Sequence, residues 1–166
     1  MITDLVRQQG FLAAHGVWCV SEIDAPLVPY VGVVRESGEQ ELVRFVDEED
    51  YAHAVEKARA FLLAGSPGAT RATLVFDGFV TLPDGKTDAL VVEGRVYGEP
   101  PMVVTYVVPY RSCRHPDGFA VYRPKLVAVE GTGEPDHDAM GNAFFEGVDS
   151  HEQGAKVWER FIDQSR

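Results

Sequence analysis

What this 166-residue chain lacks narrows it first. Cysteine is nearly absent, with only Cys19 and Cys113. They form no C-x-x-C pair and have no histidine at zinc-finger spacing, so a disulfide scaffold is excluded and two reduced thiols are expected. No apolar run approaches the length of a membrane span. Basic residues are few: 15 Lys and Arg stand against 26 Asp and Glu, for a net charge of −11. Such a chain is repelled by phosphate backbones and anionic membrane surfaces, which argues against nucleic-acid and membrane partners. Met1 to Gly16 has an early acid and no basic stretch before an apolar one, so no export signal is expected and a cytoplasmic location is. There is no G-x-S-x-G and no G-x-x-x-x-G-K-[ST]. Gly131-Thr132-Gly133 stops short of G-x-G-x-x-G, so neither a nucleophile elbow nor a phosphate loop is present. No cofactor is indicated, and Asp136-His137-Asp138 has no second histidine nearby to complete a metal site.

What is present is strand-forming sequence. Thr70 to Arg111 reads as three consecutive strands, the first two joined at Leu82-Pro83-Asp84-Gly85-Lys86. Pro presets φ for the first corner, Asp tolerates the second and Gly accepts a positive φ. That chemistry predicts a type I turn with Gly85 as the bulge residue. The implied register sets Asp77 opposite Val91 and Val75 opposite Glu93. It sorts Leu74, Phe76, Leu90 and Val92 to one apolar face, and Asp77, Glu93 and Arg95 to the other. Met102 to Tyr110 is almost wholly apolar, as expected of a central strand buried on both faces. Phe119 to Arg123 and Lys125 to Glu130 read as further strands, interrupted by Pro124. Tyr30 to Glu36 and Glu41 to Val46 read as a hairpin.

Helices flank these strands. Met1 to His15 is helical by periodicity, with Gly16 a plausible stop before a short apolar strand at Val17 to Val20; a helix continuing to Ile23 is the competitor. Asp47 is the expected N-cap of a helix whose stripe is Tyr51, Ala54, Val55, Ala58, Phe61 and Leu62. The apolar face of the central hairpin is its expected partner. Asp138 to Val148 is a weaker helix, and Ser150 to Gln153 fits a capping box before a last one. The sum is a single α+β domain over residues 1–166: a curved antiparallel sheet, a hairpin plus a β-meander, covered by helices.

Three constellations could carry chemistry. Asp77 and Glu93, roughly 6 to 8 Å apart in that register, could share a divalent cation, with Arg95 stabilising developing negative charge. Asp77 followed by Glu93-Gly94-Arg95 resembles the acid…E-x-K pattern of restriction-endonuclease-like nucleases, with Arg95 in place of the lysine. The resemblance implies metal-assisted hydrolysis, although Arg is a poor proton donor or acceptor at neutral pH. Second, Tyr106, Tyr110, Arg111 and Arg114 could grip a carboxylate or phosphate. Third, the segregation of charge, acidic over residues 36–50 and 130–163 and basic around Arg111 to Lys125, suits a symmetric contact between copies. His115-Pro116-Asp117 matches the tripeptide of chaperone J-domains, but between strands it is turn chemistry. The leading expectation is a non-catalytic binding or protein-interaction domain that self-associates. A metal-assisted hydrolase at Asp77, Glu93 and Arg95 and a small-anion binder at Tyr110, Arg111 and Arg114 are the alternatives.

Overall fold

Helix α1 (Ile2–Glu22) runs unbroken through Gly10 and Gly16, so the expected stop at Gly16 and the strand after it are replaced by the longer helix. Both glycines are packing residues. A Cβ on Gly16 would lie 2.9 Å from the Leu90 side chain and 3.0 Å from the Tyr30 hydroxyl. The cost of glycine inside a helix, about 1 kcal/mol relative to alanine, is offset by the close approach it permits.

The computed structural model describes every residue from Met1 to Arg166. After α1 come β1 (Tyr30–Arg35), β2 (Gln40–Arg44), α2 (Tyr51–Ala64), β3 (Ala69–Leu82), β4 (Gly85–Val96), β5 (Met102–Arg111), β6 (Ala120–Tyr122), β7 (Lys125–Glu130), α3 (His137–Ser150), α4 (Glu152–Phe161) and β8 (Ile162–Asp163). The strands form one curled sheet in the order β2-β1-β3-β4-β5-β6-β8, with β7 also paired to β5. Only β6 and β8 run parallel. This is a single-domain α+β fold with a half-barrel sheet, as the strand and helix signals led us to expect. No helix is long and apolar enough to cross a membrane.

The register of β3 and β4 differs from the expected one by a single residue. Leu82 pairs directly with Gly85, Asp77 with Leu90, Val75 with Val92 and Phe76 with Val91, with no bulge along the ladder. Gly85, at φ 125°, is itself the first paired residue. The reason lies in the helical layers. Helices α1, α3 and α4 cover the inner face of the sheet, where Tyr30, Val75, Leu90, Val92, Val104, Tyr106 and Val108 join the larger core of 24 buried residues. Helix α2 covers the opposite, outer face over β1 and β3, where Val31, Val33, Ala72 and Leu74 meet Ala58 and Leu62 in a separate core of only 6. The most apolar face of β3 therefore turns outward to α2, and the most apolar face of β4 turns inward to α1. Sorting both strands onto one greasy face assumes a single covered side, and this sheet has two.

Two helix starts also depart from expectation. Asp50, not Asp47, caps α2, its side chain accepting from the His53 N–H. Asp47 instead accepts from the Glu49 and Asp50 amides just upstream. Helix α4 is capped by His151, whose Nδ1 accepts from the Gly154 N–H, in place of the expected Ser150 box. An unprotonated Nδ1 leaves the proton on Nε2, which donates to His15 Nδ1 at 3.1 Å and so ties α4 to α1.

Helices α1 and α3 meet backbone to backbone. A Cβ on Gly10 would overlap the Phe144 carbonyl oxygen, and one on Gly147 the Arg7 carbonyl oxygen. Gly141, in the same helix as Gly147, has nothing within 4 Å. Thermal unfolding should separate the two: Gly147→Ala should destabilise by about 3 kcal/mol, whereas Gly141→Ala should stabilise by about 1 kcal/mol. Equal effects would contradict this helix crossing.

Candidate functional site

The register decides where Asp77 goes. It stands on the inner face of β3, at the point where β1 has already ended opposite Val75. On the β1 side its backbone has no strand to pair with, and one phenol takes the place of a strand. Tyr51 Oη of α2 donates to the Asp77 carbonyl at 2.9 Å and accepts from the Asp77 N–H at 2.6 Å. Main-chain polar groups that are half-buried must find such partners.

The Asp77 carboxylate is held by neutral donors alone. Tyr110 Oη of β5, reaching across β4, lies 2.8 and 2.9 Å from its two oxygens, and the Leu27 N–H donates at 3.3 Å. Burial raises the Asp77 pKa above the ordinary carboxylate value; the bonds from Tyr110 and Leu27 oppose the shift, and the negative charge of Asp88 adds to it. Asp88, on the inner face of β4, is also raised, first by burial and then by Asp24, with Lys86 opposing. Tyr110 is pushed up by burial and by the charge of Asp77, so its hydroxyl stays a donor. Neither Asp77 nor Asp88 has a cationic partner within 4 Å. Asp24, by contrast, pairs with Arg114 at 3.2 Å and accepts from Ser112 at 2.9 Å.

These groups surround a cavity of about 260 Å³ between the end of α1, the turn after it and strands β3 to β5. Its wall is aromatic and apolar as well as acidic: Tyr51, Phe79, Tyr110, Val20 and Ile23 line it beside the carboxylates. Phe79 is 62% exposed at the rim, and the Lys86 ammonium lies 4.0 Å from its ring centroid. The rim thus already holds one cation against an aromatic face.

The three expected constellations are redistributed. Asp77 and Glu93 lie on opposite faces of the sheet, so the acidic pair that a shared cation would need does not form. Glu93 takes a bidentate pair from Arg59 of α2, at 2.7 and 3.2 Å. Arg95 follows Glu93 on the outer face, away from Asp77. No group of three or more His, Cys, Asp or Glu side chains is arranged to hold a metal ion. Tyr106 is buried against Phe144 with ring centroids 4.8 Å apart. Arg111 turns away from Tyr110, as successive strand residues must, and donates to the Gly118 and Asp117 carbonyls of its own loop. Arg114 is spent on Asp24. Tyr110, Arg111 and Arg114 therefore do not converge on an anion. What the structure brings together is Asp77 from the first constellation and Tyr110 from the second. The bulged register would set Asp88 on the face opposite Asp77, and Tyr51 and the Leu27 amide arrive from distant segments with no local signal.

Comparison with known protein families, curated proteins and solved structures gives no match.

The raised Asp77 carboxyl sets a sign for stability. The folded state binds its proton more tightly than the unfolded state. The group's stabilising contribution is thus complete below the ordinary carboxylate value and is lost as pH rises through the raised one. Asp77→Asn removes this dependence and keeps an acceptor for Tyr110. The variant should be more stable than wild type at neutral pH, and the difference should shrink as pH falls below the ordinary value. Chemical denaturation across pH 3 to 8 would contradict this by showing the variant destabilised at pH 7.

Proposed function

We propose that the protein is a non-catalytic binding module whose ligand carries a primary ammonium or guanidinium group, received by Asp77 and Asp88. The observation that carries this reading is a pair of half-buried carboxyl groups in an aromatic-walled cavity with no cationic partner. Removing carboxylates from water without a counter-charge costs stability, and a site that bears this cost gains affinity when a cation arrives. Tyr110 fixes the Asp77 carboxylate in place, so little ordering is left for the moment of binding. Phe79 and the two tyrosines supply faces for the cation's apolar stem. The net charge of −11 favours the approach of a cation.

A cytoplasmic location remains part of the proposal, on the sequence grounds given above. So does self-association. It is supported by the open edge of β2, the terminal strand of the sheet, where Leu42 is 43% exposed, and by Val46 just beyond it, 65% exposed. Unpaired strand edges of this kind template pairing with a second copy.

Calorimetry with n-butylammonium, n-butylguanidinium and uncharged n-butanol tests the ligand class. The two cations should bind and the alcohol should not. Asp77→Asn should weaken cation binding about tenfold to a hundredfold, as expected for a hydrogen bond to a charged group. Equal binding by variant and wild type would overturn the proposal. Light scattering on the same samples should report a mass above that of one chain; a monomer at every concentration and salt would remove self-association.

A further inference from the structure

A larger cavity lies elsewhere, about 500 Å³ between the N-terminal half of α1 and the β1–β2 hairpin. Its charged groups can be paired off one by one. Arg7 binds Asp4 at 3.2 Å and Glu146 at 2.9 Å. Glu41 binds Arg35 at 2.7 Å. His15 and His151 hold each other, and burial lowers the pKa of both, so they stay neutral at pH 7. Gln8 is fixed on both sides, donating to the Gly32 carbonyl at 3.0 Å and accepting from Thr73 at 3.1 Å.

Arg71 is left over. It sits on the inner face of β3 opposite Val34, and it enters no ion pair and no side-chain hydrogen bond. Its Nε is buried without a partner. A guanidinium is a planar fork of donors that matches a carboxylate in two parallel bonds. An orphaned buried donor destabilises the fold, and an arriving oxyanion would recover that cost. Phe11, Leu12, Val34 and Leu42 supply the apolar part of the wall, beside Gln40 and Ser150. A volume of this size falls within the range of small-molecule sites. The acids Asp4 and Glu41 at the margin, and the charge of the whole chain, disfavour a dianion.

We propose that this cavity binds a monocarboxylate with an apolar tail, its headgroup paired to Arg71 and its chain laid against Phe11, Leu12 and Leu42. The site is separate from the Asp77 cavity and does not depend on the ligand proposed there. It also accounts for a charged side chain that makes no ion pair and no hydrogen bond within the fold.

Calorimetry and thermal shift with octanoate, acetate, octanol and inorganic phosphate test it. Octanoate should bind and raise Tm, acetate and octanol should bind at least tenfold more weakly, and phosphate should give no heat. Arg71→Gln should weaken octanoate at least tenfold and leave the Tm of the unliganded protein unchanged or higher, because no partner is lost. Arg71→Lys should restore only part of the affinity, since an ammonium lacks the fork. Leu42→Asp, at the exposed mouth, tests the tail contact independently and should also abolish octanoate binding. No binding of octanoate, equal binding by Arg71→Gln, or tighter binding of phosphate would each overturn the proposal.

Discussion

Everything about the Asp77 site depends on how two strands close at Leu82 and Gly85. Side chains alternate across a strand with a period of two, so a single added residue in that turn would exchange the two faces of β4 relative to β3. With Gly85 standing unpaired as a bulge, Asp77 would share a face with Glu93. With Gly85 paired, at a φ of 125° that favours glycine, Asp77 shares the inner face with Asp88 and reaches Tyr110. The turn sets which carboxylates meet, and that choice sets the electrostatics of the cavity.

The paired register is held by helices on both sides of the sheet. Helix α1 lies along the inner face, and α3 and α4 press on it closely enough that Gly10, Gly147 and Gly154 have no room for a Cβ. Helix α2 grips the outer face at β1 and β3, and its Arg59 lies over Phe76 of β3 and reaches Glu93 of β4. A one-residue slip would carry Leu90 and Val92, both fully buried on the inner face, out of the core that α1 covers and onto the outer face, where the α2 core is built from β1 and β3. Tyr51 ties the two layers together, since its ring belongs to α2 and its hydroxyl closes the backbone of Asp77.

Much of this architecture is legible in the sequence. The hairpin, the three-strand meander, the later strands and all four helices follow from periodicity and turn chemistry, with α1 running past its expected end. Gly16 misled because a glycine that lets helices touch looks, in sequence, like one that ends a helix. The register misled for a related reason. Alternation reports which face of a strand is apolar, but not which helix covers it, and here β3 and β4 turn their apolar faces in opposite directions. The candidate residues fared accordingly. Asp77 and Tyr110 were both singled out, yet for different sites, because a phenol on β5 reaching a carboxylate on β3 depends on the inner-face register. Arg111 could have been separated from Tyr110 at once, since neighbours on a strand point to opposite sides.

Within the two cavities, Asp4, Arg7, Asp24 and Glu41 find charged partners, and three charged side chains do not. Arg71 is a cation with no anion, and Asp77 and Asp88 are anions with no cation. The most direct test of that view is the titration of the Asp77 carboxyl carbon by NMR, first alone and then with saturating n-butylammonium. Alone, its midpoint should lie above the ordinary carboxylate range, and the ammonium should draw it down. A midpoint at or below that range, unmoved by the ammonium, would contradict both the buried inner-face position and the proposed ligand.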